Sequence, residues 1–349
     1  MNLSIYLGIL FHSFMANYMD KIIRLLFCGI FLLVCTCQNK GAVKEGVPQP
    51  KEESIRTVQV DSAIINTASE VMAQEEEYSF EYAENNNTAD EDPFAGTPVT
   101  ERREQHTLFD STYKSIHIFV ALCDNENQGI VKVPASIGNG QKPSTNLYWG
   151  CGYGIKTFFK KSAEWKLLKT STINDTIMER LVFKHASQKY YLVADAYNGK
   201  YIAQCISDFL SSSCGRWKDT VHVNDNLTIG CCGNSQLVSY IGHDGLMEHI
   251  LNDRFTNTDG KKRDVIILAC VSKTHFSPYL EPANVNPIIW TRHFMAPEAY
   301  TIHDAITGYV KKESNQEILD RAIKAYATYQ KCGIKGAKSI FVTGGLNEE

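Results

Sequence analysis

The sequence predicts an α/β domain with three layers around a mostly parallel sheet. Two observations carry this expectation. Short runs rich in Val, Ile and Leu, bounded by Gly or charge, recur through the C-terminal two thirds of the chain. Segments with apolar residues three and four apart fall between them. The first predicted strand is 116–122, followed by a helix over 153–161 and a short strand over 165–168. Residues 189–196 give another strand. The helix predicted over 201–211 puts Ile202, Cys205, Ile206 and Phe209 on one face. Two strands then run through 237–241 and 265–269, and 287–291 is one more. Helices over 299–311 and 315–332 close the domain, with Gly333 as the expected stop.

The chain divides into three parts. Lys21 and Arg24 precede an apolar stretch from 25 to 34, the pattern of a secretory signal and too short for a membrane span. Met19 reads as a more natural start than Met1. Cys35 and Cys37 follow the apolar core, as in the lipobox of bacterial lipoproteins, and Cys37 is the expected site of lipid attachment, with Cys35 as the second choice. Thr36 stands where the lipobox usually has a smaller residue. An ordinary cleaved signal is the competing reading. Residues 38–112 are acidic and poor in apolar side chains, which marks a disordered tether. The folded domain is expected over 113–349.

Composition narrows the partners. Of 349 residues, 35 are basic and 39 acidic, a net charge of −4, with no basic run or stripe, so nucleic acid is not an expected partner. Cys231 and Cys232 are adjacent, and no CxxC pairs stand at zinc-ligand spacing, so no metal is expected. Eight of the 11 cysteines lie beyond the signal, where an exported protein has the chance to form disulfides.

His243 and Cys270 carry the chemistry. Each stands just past an apolar strand, and catalysts in open α/β sheets gather at the carboxyl ends of strands. The segment between the two strands exceeds the dozen or so residues that a parallel crossover needs, and its first part, 246–254, reads as a short helix. The strands are therefore expected to be neighbours. A His beside a thiol holds it as the nucleophilic thiolate. Taken singly, either residue has a bland reading, as a buried cysteine or a histidine bonded to a backbone carbonyl.

Cys151 is the rival nucleophile. It sits in Trp149-Gly150-Cys151-Gly152-Tyr153-Gly154, just ahead of a predicted helix whose N-terminus would lower a thiol pKa. The competing reading is a tight glycine connection. Asp124 and Asp195 end two strands and are candidates to line a substrate pocket that favours a basic residue. Asp195 also reads as a turn or cap. His275, His293 and His303 show no partners at ligand spacing.

The pair Tyr240-Ile241-Gly242-His243-Asp244-Gly245 and Leu268-Ala269-Cys270 resembles the signature of the caspase-like cysteine peptidases, the group of caspases, legumains and gingipains. The resemblance covers roughly 113–310. It implies a caspase-like fold, Cys270 as nucleophile and His243 as general base and acid. It also implies an oxyanion hole from the Cys270 amide and that of Asp244 or Gly245, and a substrate-binding edge at Thr291 and Arg292. The sequence departs from the pattern at Asp244, which stands between the His and the Gly, and in a short connection between the two motifs. The function expected is an exported, lipid-anchored cysteine peptidase acting on protein or peptide without a cofactor. The alternative is an inactive binding or scaffolding lipoprotein of the same fold, and a weaker one is an α/β hydrolase or transferase acting on a small acyl or amide substrate.

Overall fold

The computed structural model describes residues 108–345. The predicted signal, Cys35, Cys37 and nearly all of the tether lie outside these residues. The described chain forms an α/β domain with an eight-stranded, mostly parallel sheet. Its elements are β1 (Lys114–Ala121), α1 (Ile155–Lys161), β2 (Trp165–Ser171), β3 (Ile177–His185), β4 (Tyr190–Tyr197), α2 (Ile202–Ser213), β5 (Lys218–Asn224), β6 (Leu227–Cys232) and β7 (Leu237–Ile241). There follow β8 (Asp264–Leu268), α3 (Ser272–Leu280), β9 (Asn286–Thr291), α4 (Ala299–Val310), α5 (Asn315–Gln330), α6 (Gly333–Ile340) and β10 (Phe341–Val342).

The strand order is β10-β9-β8-β7-β1-β4-β3-β2. Strands β4, β1, β7, β8 and β9 are parallel, while β2, β3 and β10 add antiparallel. From β1 the chain crosses to the edge strand β2, comes back inward through β3 and β4, then passes to β7 on the other side of β1 and proceeds outward through β8 to β9. Such a change of direction beside β1 is where open α/β sheets form a ligand crevice, above the carboxyl ends of β1 and β7.

Alternation along β1 feeds a core on each face. Ile116, Ile118 and Val120 pack with Phe159, Ile302 and Ile323 from α1, α4 and α5. Phe119 and Ala121 pack with Ile206 and Phe209 of α2 and Phe276 of α3. Helix α5 begins with a capping box, in which Ser314 and Glu317 satisfy each other's amides.

Several elements depart from the sequence expectation. Strand β3 was not expected, because Glu179, Arg180 and Lys184 interrupt its apolar pattern. Arg180 is nevertheless buried, since it meets Asp195 on β4. The β5–β6 hairpin forms a separate two-stranded sheet. Helix α3 was not among the expected helices; it carries Pro278 two residues before its end. Residues 246–254 contain only a 3₁₀ turn over Gly245–Met247, not a short α-helix. Gly333 opens α6 rather than ending α5, whose stop is Lys331 in the left-handed region at φ 55°.

Candidate functional site

Strands β7 and β8 pair in parallel, with Ile241 beside Leu268. His243 and Cys270 therefore leave neighbouring strands at the same end of the sheet, each two residues beyond this pair. Gly242 makes the exit from β7. Its φ of 154° and the 3.0 Å from an added Cβ to the Ala121 carbonyl both favour glycine there.

His243 is buried, and its Nε2 lies 2.9 Å from both carboxylate oxygens of Glu248. The Tyr240 hydroxyl donates to the His243 carbonyl at 2.6 Å. Glu248 thus holds the ring and leaves Nδ1 for other work. Its carboxylate also fills the space beside Gly129, where a Cβ would stand 2.2 Å from Oε1. Through Glu248, the loop after β1 is tied to the turn after β7.

Cys270 leads from β8 into α3. The next residue, Val271, takes a left-handed conformation at φ 49° and ψ 29°. A β-branched residue there costs of order 1–3 kcal/mol, and such strain clusters at functional sites. The Cys270 thiol donates to the Met295 carbonyl at 3.6 Å and accepts from the Met295 amide at 3.4 Å. Burial pushes its pKa up, the Met295 amide lowers it, and the Asp244 charge adds to the rise. The resting thiol is therefore protonated. Among the described residues no hydrogen bond joins it to His243.

Asp244 caps the turn that follows His243. Its Oδ1 accepts from the Leu246 amide at 3.0 Å, and its Oδ2 meets His275 Nδ1 at 2.7 Å. This hydrogen bond raises the His275 pKa against the effect of burial. Asp244 is wholly buried. The Gly245 amide donates to the His243 carbonyl at 3.1 Å, so it is not free for a substrate oxygen.

The floor of the crevice comes from the segment before α1. Asn146 is fully buried and brackets the end of β1. It accepts from the Cys123 amide at 3.1 Å and donates to the Cys123 carbonyl at 2.8 Å. Burial pushes the Tyr148 hydroxyl well up in pKa, and the neighbouring Cys123 and Cys270 add to the rise. Burial pushes Cys123 up to about 12. Asn146, Tyr148 and Glu248 were not singled out in the sequence. Only the three-dimensional approach of separate loops marks them.

Other expected site residues have different roles. Asp124 is buried, and its carboxylate accepts from the amides of Glu126 and Asn127 and the side chains of Asn127 and Gln141. These bonds make it the organiser of its own loop. Asp195 lies inside β4, fully buried, with Arg180 at 2.7 Å on each oxygen and His117 at 3.1 Å, so it does not line a pocket. Thr291 is buried, its Oγ1 accepting from the Ser272 amide at 3.1 Å and donating to the Ala269 carbonyl. Arg292 is exposed, but its amide donates to the Ile340 carbonyl at 2.8 Å. The β9 edge is thus taken by the chain's own residues 340–342, which corrects the expectation of a substrate edge there.

Cys151 sits in a turn closed by its amide to the Asn146 carbonyl at 2.9 Å. A Cβ on Gly150 would meet the Ser144 carbonyl oxygen at 2.1 Å, and one on Gly154 the Trp149 backbone at 2.4 Å. The glycines serve close backbone packing, as the competing reading has it. His275 has Asp244 as a partner, and His303 has Ser162 at 2.8 Å, both missed in sequence. All eight described cysteines are free thiols. A cleft of about 490 Å³ lies against Phe255, Tyr279 and Pro282 and includes neither His243 nor Cys270. Among the described residues no helix is long and apolar enough to cross a membrane.

Comparison with protein-family models, with curated proteins and with solved structures returns no match.

Proposed function

We propose that the protein is a cysteine peptidase of caspase-like fold, exported and held to a membrane by an N-terminal lipid on Cys37 or Cys35. The observation that carries the catalytic reading is the β7–β8 register, which delivers His243 and Cys270 to adjacent strand ends. The strained Val271 directly after Cys270 supports it. In the reaction, His243 takes the Cys270 proton and the thiolate adds to a peptide carbonyl. His243 then protonates the departing amine, leaving a thioester that water hydrolyses. With the Gly245 amide engaged, the Asp244 and Cys270 amides are the candidate oxyanion donors. The thiol must first leave Met295 and lose its proton, so substrate binding is expected to move the 292–296 loop.

The same Met295 contact favours a second reading, a binding module of the same fold that does not hydrolyse. Incubating the full chain with a diverse peptide library and reading cleavage by mass spectrometry separates the two. The peptidase reading expects cleavage that falls about a thousandfold or more in both Cys270→Ala and His243→Ala. Absence of cleavage, with Cys270 inert to iodoacetamide, selects the binding module.

A further inference from the structure

A second group of reactive side chains lies away from the crevice. Cys231 and Cys232 end β6, and both are fully buried against His117 of β1. Successive residues of a strand point to opposite faces. Here Cys232 departs from strand geometry, with φ at 53° in the left-handed region. That region is strained for a cysteine. The departure leaves the two sulfurs 3.9 Å apart. His117 fixes the distorted peptide by accepting the Cys232 amide on Nδ1 at 2.8 Å. Its Nε2 faces Asp195 at 3.1 Å, and Arg180 holds Asp195 with two bonds of 2.7 Å. Asp195 biases the ring toward its charged form against burial, but only a deprotonated Nδ1 accepts an amide, so the neutral tautomer is kept.

We propose that Cys231 and Cys232 are a redox-active dithiol that closes into a disulfide between adjacent residues by exchange with a disulfide oxidant. The two sulfurs differ in the way an attacking and a resolving thiol differ. Burial raises the Cys231 thiol, but the hydrogen bond from the Cys232 thiol and the Arg180 charge lower it. Burial and the neighbouring Cys231 push Cys232 well up. The Cys231 thiolate attacks one sulfur of a small-molecule disulfide such as oxidised glutathione, forming a mixed disulfide and releasing one thiol. Cys232 loses its proton to solvent and attacks the Cys231 sulfur, releasing the second thiol. Two electrons pass from the pair to the oxidant, and the two protons lost by the cysteines are matched by those taken up by the released thiols.

Adjacent Cα atoms stand about 3.8 Å apart, below the 4.4–6.8 Å span of unstrained disulfides. The closed ring is therefore strained and reopens readily, as regulatory disulfides do. Access therefore requires the β5–β6 hairpin, a separate two-stranded sheet whose Val221 and Ile229 pack into the core, to lift away locally.

The test uses the full chain, equilibrated across ratios of reduced to oxidised glutathione and quenched in acid. It is then alkylated in denaturant and digested with trypsin. The fragment 219–254 contains Cys231 and Cys232 and no other cysteine. The expected result is a fragment about two mass units lighter and free of alkyl groups in oxidising buffer, returning to the doubly alkylated form as reduced glutathione rises. Cys232→Ser should stop at a mixed disulfide on Cys231, and the wild-type reading stands alone if that variant does not fold. A doubly alkylated fragment at every ratio overturns the proposal, as does a stable mixed disulfide in the wild type. Because the His117, Cys231 and Cys232 ligand atoms all lie within 4.8 Å of one another, metal content is measured on the purified chain first. A stoichiometric thiophilic metal held by the two thiols would also overturn the dithiol.

Discussion

Glu248 sets the His243 ring, and its removal separates positioning from proton transfer. Glu248→Gln keeps a hydrogen-bonding group but loses the charge facing Nε2. In the peptidase, kcat is expected to fall about 10–100-fold with little change in KM, whereas a merely structural role would raise KM or lower the urea midpoint as well. His275 gives a pH test that does not depend on activity. Its pKa is raised by Asp244, so the stability this pair adds is complete below the ordinary histidine value near 6.5. That stability is lost as pH rises through the elevated folded value. His275→Gln should therefore lower the urea midpoint more at pH 5.5 than at pH 8.5. An equal loss at both would detach the histidine from Asp244. His243 and Cys270 were legible because a strand end announces itself by composition. Glu248 was not, because a residue five places on lies off the same face of a helix and comes into reach only through a 3₁₀ turn.

Among the elements, the parallel core strands and α2, α4 and α5 were readable, since each buries a periodic apolar face. Strand β3 and the β5–β6 hairpin were not. Their alternation is broken by residues whose burial depends on partners elsewhere: Arg180 on Asp195, and Cys231 and Cys232 on His117. The capping box of α5 is a local signal and can be tested locally. Ser314→Ala should cost about 1 kcal/mol in urea denaturation. The segment ahead of α1 is constrained differently. A Cβ on Gly154 would sit 2.4 Å from the Trp149 backbone, so Gly154→Ala should cost about 1–3 kcal/mol and loosen the floor beside Tyr148. A neutral outcome would mean that this turn repacks freely.

At the scale of the whole domain, Arg180, Asp195 and His117 stitch β3, β4 and β1 across the face that carries α2. Asp195→Ala would strand a buried guanidinium and should cost about 3–5 kcal/mol, read as a lower urea midpoint. Burial raises the Asp195 carboxyl, but Arg180 and His117 outweigh it and hold the group well below the usual carboxylate range. Its contribution is present above the ordinary carboxylate pKa and fades as pH falls through the depressed one. The two margins of the sheet are guarded unequally. The β2 margin carries exposed Lys166 and Lys169, charges that discourage another strand from docking. At the β9 margin, the backbone of Trp290 and Thr291 is paired by the two residues of β10, and the Arg292 amide donates to Ile340. A nick ahead of Phe341 would bare a ready template for strand addition. Clipped protein should then polymerise edge to edge while its core remains folded, with light scattering rising before circular dichroism changes.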